Sequence, residues 1–155
     1  ITINLEDHFP EGERVLFDLE PWLFQGLILR EKDFRDNLKS HDWNQYKDKY
    51  VAIICSADAI IPAWAYMLLF SHFEPVAKKI VFGDLKRLEE EIFEDVIHSI
   101  NAEDYRDQRV VIKGCSKKEI PIFTYAALTA KLRPVVKSIM FGEPCSTVPV
   151  YKRKD

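Results

Sequence analysis

The stretch VAIICSADAIIPAWAYMLL, at residues 51–69, decides the fold, because an altered copy of it, VVIKGCSKKEIPIFTYAAL, occupies residues 110–128. In both copies an apolar run ends in Cys-Ser, a polar gap follows, and then come Ile-Pro, three residues and a tyrosine. The run is typical of a buried strand, and proline suits the first turn of a helix. The matched residues are Cys55, Ser56, Ile61, Pro62 and Tyr66, and, after a gap one residue shorter, Cys115, Ser116, Ile120, Pro121 and Tyr125.

The size of the chain predicts a single α/β domain over residues 1–155. Hydrophobic residues make up 47% of the chain and aromatic residues 12%, which is enough for one core. Polar residues with Pro10 and Gly12 predict an irregular N-terminal arm at residues 1–13. Pro144 and Pro149 predict a loop-like C-terminal tail at residues 140–155.

Charge and cysteine usage exclude several classes of protein. The net charge of −3 gives no basic footprint for nucleic acid, and the apolar runs fall short of the ~20 residues of a membrane span. The first residues lack the layout of a signal peptide. Three cysteines without close pairs argue against a disulfide framework. We therefore expect a cytoplasmic protein without nucleic-acid or membrane partners, whose oligomeric state the sequence leaves open.

Alternating strand and helix patterns predict a parallel sheet. Strands are predicted at residues 50–55, 79–82 and 109–114, and helices follow at 61–72, from Asp84 onward, and at 121–132 with a continuation to 139. A strand at 14–19 and a helix at 31–39 precede them, and the apolar run at 22–29 is expected to be buried. This order predicts a three-layer αβα fold with helices on both faces of a small, mostly parallel sheet, in the core strand order 2-1-3.

The predicted strand order brings two thiols together. The first and third strands would be neighbours, and ligands of such sheets bind at the carboxyl ends where the strand order reverses. Cys55 and Cys115 end those two strands. Each precedes a helix amino terminus, which stabilises a thiolate. The segment after the last helix would bring Cys145 to the same place.

Three thiolates and one further ligand would complete a tetrahedral zinc site. The predicted metal ligands are Cys55, Cys115 and Cys145, with Asp58 as the first choice for the fourth ligand and Glu143 as the second. His41, His72 and His98 are kept as alternatives, although His72 and His98 lie at the far ends of their helices. Zinc is the expected cofactor, and another divalent transition metal, including iron, is the alternative.

Two other interpretations remain open beside metal binding. Cys115 or Cys145 would be the reactive group of a thiol-dependent redox or sulfur-carrier enzyme. Alternatively, all three cysteines are small buried hydrophobic residues, as free cysteines often are, and the protein is an interaction module. The sequence does not decide whether the protein is an enzyme.

Four segments, CSADAIIPAWAYM, VFGDLKRLEE, VVIKGCS and SIMFGEPCSTVP, resemble an uncharacterised Bacteroidetes family, the domain of unknown function 2480. The resemblance covers nearly the whole chain. It implies a metalloprotein and iron–sulfur assembly proteins as partners. By analogy, U-type iron–sulfur scaffold proteins use three cysteines and one aspartate. Two residues separate Cys55 from Asp58 where that family has one, so its activity is not carried over.

Overall fold

The computed structural model of the chain describes residues 1–114, 117–143 and 146–154, and for Glu143 it describes the backbone alone. Within this part of the chain there are seven strands and four α-helices. The strands are β1 (Thr2–Asn4), β2 (Arg14–Asp18), β3 (Tyr50–Ile54), β4 (Lys79–Phe82), β5 (Arg109–Lys113), β6 (Ser138–Glu143) and β7 (Ser146–Lys152). The helices are α1 (Glu31–Ser40), α2 (Ala63–Phe73), α3 (Leu85–Ser99) and α4 (Ile122–Leu132).

Local sequence signals fix the helix starts. The Asp84 carboxylate accepts a hydrogen bond from the backbone N–H of Arg87 at 2.9 Å, so the predicted cap of α3 is confirmed. Pro62 and Pro121 immediately precede α2 and α4, where a missing N–H costs no helical hydrogen bond. None of the helices in the described part of the chain is long and apolar enough to cross a membrane.

The strands form two sheets. One has four strands in the order β1-β5-β6-β7, and the other has three in the order β2-β3-β4. All neighbouring strands are parallel except β6 and β7, which are antiparallel. The predicted α/β class is confirmed, with four helices in the described residues and mostly parallel sheets, consistent with a three-layer αβα arrangement.

The predicted strand order 2-1-3 is wrong in one of its two pairings. β4 does lie beside β3, but β5 does not. β3 is paired on both edges by β2 and β4, and β5 is paired on both edges by β1 and β6. β2 occupies the edge of β3 that the prediction assigned to β5, and β1 pairs with β5 instead. Cys55 and Cys115 therefore follow strands of different sheets.

The chain divides into two compact units. The central unit, Glu11–Leu88, contains the sheet β2-β3-β4 with α1 and α2. The terminal unit, Ile1–Pro10 with Glu89–Asp155, contains the sheet β1-β5-β6-β7, most of α3, and α4. The single-domain organisation over residues 1–155 stays a prediction.

Both chain ends are more regular than predicted. The arm at residues 1–13 contains β1, where Ile3 is 3% exposed and pairs with Ile112. The tail at residues 140–155 contains most of the β6–β7 hairpin, and the segment up to residue 139 begins β6 rather than continuing α4. Pro149 is tolerated because β7 is an edge strand, where proline can stand without removing a hydrogen bond of the sheet. The pairing of β6 with β7 also shifts in register next to Pro149, between Ile139 and Met140.

The apolar run at residues 22–29 is less buried than predicted. Phe24 and Ile28 form an antiparallel bridge around a tight turn, in which Gln25 and Gly26 have φ of 53° and 68°. Leu27 and Ile28 are 59% and 57% exposed. The turn closes on itself, so its apolar side chains extend into solvent.

The two units repeat one structural pattern at a constant spacing of 59 positions. β3 and β5 begin at residues 50 and 109, α2 and α4 at 63 and 122, and β4 and β6 at 79 and 138. Asp48 and Asp107 both have positive φ, and each donates its N–H to a carbonyl, that of Val76 or Val135. The sequences EPVAKKIVFGD at 74–84 and RPVVKSIMFGE at 133–143 keep the same spacing. The repeat found in the sequence is therefore a repeat of a strand–helix–strand unit.

Candidate functional site

Cys55 stands directly after β3, at the carboxyl end of the middle strand of the central unit's sheet. Its thiol is free and half-buried, and Sγ lies 4.0 Å from the carbonyl oxygen of Ala57. The position follows from β3, whose residues Val51, Ala52 and Ile53 are completely buried. The structure thus confirms that Cys55 ends a parallel strand, at the edge where α/β sheets bind ligands.

Asp18, at the end of β2, holds the loop that carries Cys55. One carboxylate oxygen, Oδ1, accepts the backbone N–H groups of Glu20 and Ser56, both at 3.0 Å. The other, Oδ2, accepts the Ser56 hydroxyl at 2.6 Å. Burial raises the pKa of the Asp18 carboxyl, but these hydrogen bonds together outweigh it and hold the pKa below its usual value. An ionised Asp18 therefore fixes the backbone next to the thiol.

Tyr66, on the first turns of α2, completes this edge of the central unit. Its ring packs edge-on against Phe82 at the end of β4, with centroids 4.8 Å apart and planes at 89°. Burial raises the pKa of the Tyr66 phenol, and the charges of Cys55 and Asp18 raise it further. The phenol is therefore a neutral hydrogen-bond donor in the electrostatic field of both groups.

Asp58, the first-choice fourth ligand, is exposed in the loop after Cys55. Within the described part of the chain, no three His, Cys, Asp or Glu side chains are grouped to hold a metal ion. Cys115 and Cys145 lie outside the described residues, and the side chain of Glu143 is not described either. The predicted ligand set of five residues therefore stays a prediction.

The carboxyl ends of the strands in the terminal unit repeat several features of those in the central unit. Asn4, opposite Lys113 in the sheet, accepts the backbone N–H of Glu6 at 3.0 Å, as Asp18 accepts that of Glu20. Tyr125 packs edge-on against Phe141, with centroids 5.7 Å apart and planes at 86°. Burial raises the pKa of Tyr125, as it does that of Tyr66. Both sheets thus carry an amide or carboxylate and a tyrosine–phenylalanine pair at their carboxyl ends.

The described residues next to Cys115 and Cys145 lie side by side at this edge. The backbone N–H of Gly114 donates to the carbonyl oxygen of Gly142 at 2.7 Å. Glu143 and Ser146 are paired in the β6–β7 hairpin, and the chain between them contains Cys145. A Cβ on Gly114 would stand 2.0 Å from Cζ of Phe141, so a larger residue would force the Phe141 ring to move. The strand ends that flank both cysteines are thus tightly packed together.

The structural repeat corrects the matching of the thiols. At the spacing of 59 positions that relates β3 to β5, the counterpart of Cys55 is Gly114, and the counterpart of Cys115 is Ser56. The sequence comparison matched Cys55 with Cys115 because both precede serine, which required a gap one residue shorter. Along the sequence, Cys55 is therefore the first residue after β3, whereas Cys115 is the second residue after β5.

Two of the three histidines proposed as alternative ligands, His41 and His72, have aromatic partners. His41 stacks with Tyr46, and its Nε2 lies 2.7 Å from the tyrosine hydroxyl oxygen. Burial lowers the pKa of His41, so the neutral ring is favoured. His72 stacks on Trp43, with centroids 4.8 Å apart. His98, near the end of α3, has its carbonyl oxygen 3.3 Å from the Lys131 ammonium nitrogen.

Sequence reasoning missed Asp18 and the two aromatic pairs. The motifs VFGD at 81–84 and MFGE at 140–143 carried the signal, since each contains the phenylalanine that pairs with a repeated tyrosine. Asp18 gave no comparable signal, because its partner Ser56 is 38 positions away.

Comparison with known proteins gives one match. The sequence model of the family described as "Protein of unknown function (DUF2480)" matches residues 1–153. No curated protein and no solved structure matches the chain. The resemblance noted from the sequence is thereby confirmed at the level of the family: the chain belongs to the DUF2480 family of proteins of unknown function.

Proposed function

We propose that this protein binds a transition-metal ion through cysteine thiolates, with zinc as the first candidate and iron as the second. Cys115 and Cys145 are the principal ligands in this proposal, and Glu143 is the nearest carboxylate to Cys145 along the chain. The observation that supports it is the hydrogen bond of 2.7 Å between Gly114 and Gly142. Consecutive Cα atoms are about 3.8 Å apart, so short segments of chain connect both cysteines to this closely packed point.

The chemistry of these residue types suits a thiophilic metal. Thiolates are preferred ligands of zinc and of iron–sulfur clusters, and a carboxylate completes zinc sites readily. Three cysteines without close pairs in the sequence fit a reducing compartment such as the cytoplasm, where disulfides are rare. In the cell, the proposed role is that of an accessory factor in metal or iron–sulfur handling.

Metal analysis of single-cysteine variants tests the proposal. Protein purified under reducing conditions is analysed for zinc and iron, alongside Cys115→Ser, Cys145→Ser and Cys55→Ser. We expect about one metal ion per chain in the unmodified protein and loss of most of it in the first two variants. The result for Cys55→Ser decides whether Cys55 belongs to the ligand set, and Asp58→Asn and Glu143→Gln do the same for the carboxylates.

A thiol-dependent redox or sulfur-carrier enzyme is the alternative function. The sequence points to Cys115 or Cys145 as the reactive group of such an enzyme. The described residues add the free, half-buried thiol of Cys55, whose charge raises the pKa of the Tyr66 phenol. This alternative predicts a metal-free protein with one thiol that reacts quickly with a disulfide reagent. A metal-free protein with three slowly reacting thiols would instead indicate an interaction module.

A further inference from the structure

A surface cavity of about 330 Å³ lies on the terminal unit, between the first residues of β5 and β6 and the last residues of β7. Its volume is at the lower end of the range typical of small-molecule sites, about 300–1,000 Å³. Met140, Pro149 and Tyr151 are among the residues that line it. The cavity is lined by described residues alone, and it lies at the opposite ends of β5 and β6 from Gly114 and Gly142.

Four basic residues line this cavity, although the chain as a whole has a net charge of −3. They are Arg109, Lys137, Lys152 and Arg153. The Arg153 guanidinium forms an ion pair with the Asp107 carboxylate, with 2.8 Å between Nη1 and Oδ1. The hydrogen bond from Arg153, followed by the charges of Arg153, Arg106 and Lys137, holds the pKa of Asp107 below its usual value. Arg109, Lys137 and Lys152 lie outside this ion pair and add positive charge to the lining.

The register of the sheet fixes the spacing of two of these cations. Arg109 of β5 pairs with Ser138 of β6, and Ser138 pairs with Lys152 of β7. Residues directly opposite each other on neighbouring strands extend to the same face. The side chain of Ser138 thus lies between those of Arg109 and Lys152 on one face of the sheet. The two cations repel each other, and a bound anion would relieve that repulsion.

We propose that this cavity binds a small organic molecule that carries a phosphate group. Arginine binds phosphate through two parallel hydrogen bonds, while lysine supplies a point charge. Ser138 supplies a hydroxyl donor between them. Met140 and Pro149 offer apolar contact to the organic part of the ligand.

Binding of phenyl phosphate tests this inference, since it combines a phosphate with a small apolar body. Isothermal titration in a phosphate-free buffer of low ionic strength is expected to show saturable one-to-one binding, with a Kd at or below about 1 mM. Inorganic phosphate should bind more weakly and phenol should not bind. Backbone amide shifts on titration should concentrate in β6 and β7.

Charge-matched variants distinguish binding at this cavity from a general electrostatic attraction between the ligand and the protein. Arg109→Gln with Lys152→Gln is expected to weaken binding at least about tenfold, which corresponds to about 1.4 kcal/mol. Lys39→Gln with Lys47→Gln changes the net charge equally on the central unit and should leave binding unchanged. Each variant is checked by circular dichroism, and if the first pair does not fold, the two single variants are titrated with the same expectation. Absence of saturable binding by the unmodified protein, or an equal loss in both pairs, would overturn the inference.

Discussion

Replacing Thr124 by valine is expected to stabilise the protein. Thr124 lies in the first turn of α4 and is completely buried, and among the described residues its hydroxyl has no hydrogen-bond partner. A buried, unsatisfied hydroxyl costs about 1–3 kcal/mol, and valine replaces it with a methyl group of similar shape. The counterpart in the central unit, Ala65, is apolar and equally buried. We therefore expect the free energy of unfolding to rise by about 1–2 kcal/mol.

Equilibrium unfolding in urea measures this change, and a matched variant in the same helix controls for it. Thr129 donates its hydroxyl to the Tyr125 carbonyl at 2.8 Å, so Thr129→Val removes a hydrogen bond that is made. The midpoint should rise for Thr124→Val at an unchanged denaturant dependence, and it should stay equal or fall for Thr129→Val. A lower midpoint for Thr124→Val would refute the assignment of an unsatisfied hydroxyl.

Three further predictions concern stability. Gly114→Ala should destabilise the protein by about 1–3 kcal/mol, because its Cβ would overlap the Phe141 ring. Gly142→Ala should cost less, because the nearest atom to its Cβ, Cγ1 of Val111, would be 3.0 Å away. Equal melting temperatures of the two variants would contradict this prediction. Asp18→Asn should be less stable than the unmodified protein by about 1 kcal/mol at pH 7. Because the folded-state pKa of Asp18 is lowered, this difference should shrink as pH falls below 3.8, and thermal melts at several pH values check it. Burial lowers the folded-state pKa of His41, so the unfolded chain binds the proton more readily and stability should fall as pH drops below 6.5. His41→Gln should flatten that dependence in urea titrations, and an unchanged slope would count against it.

Local elements could be predicted from the sequence because their signals are local. The side-chain cap at Asp84 and the prolines before α2 and α4 set helix starts to within two residues of those predicted. The apolar run of β3 identified a strand buried on both faces. These patterns depend on nearest neighbours along the chain, which the sequence displays directly.

Strand pairing could not be predicted in the same way. β1 has only three residues, and its partner β5 is about a hundred positions away, so no local pattern connects them. β7 was missed because Pro149 reads as a strand breaker, whereas an edge strand tolerates it. The repeat itself was visible in the sequence, but matching the two Cys-Ser pairs aligned Cys55 with Cys115, one residue away from its structural counterpart Gly114. The longer match between residues 74–84 and 133–143 would have fixed the spacing at 59.

Thiolate ligation of a metal is the central claim, and cobalt substitution tests it most directly. Cobalt(II) replaces zinc in thiolate sites and then shows intense sulfur-to-metal charge-transfer absorption, which carboxylate and imidazole ligands do not give. The proposal predicts this absorption at one equivalent of cobalt and its loss in both Cys115→Ser and Cys145→Ser. Cobalt bound without the charge-transfer absorption, or an unchanged spectrum in either variant, would contradict it.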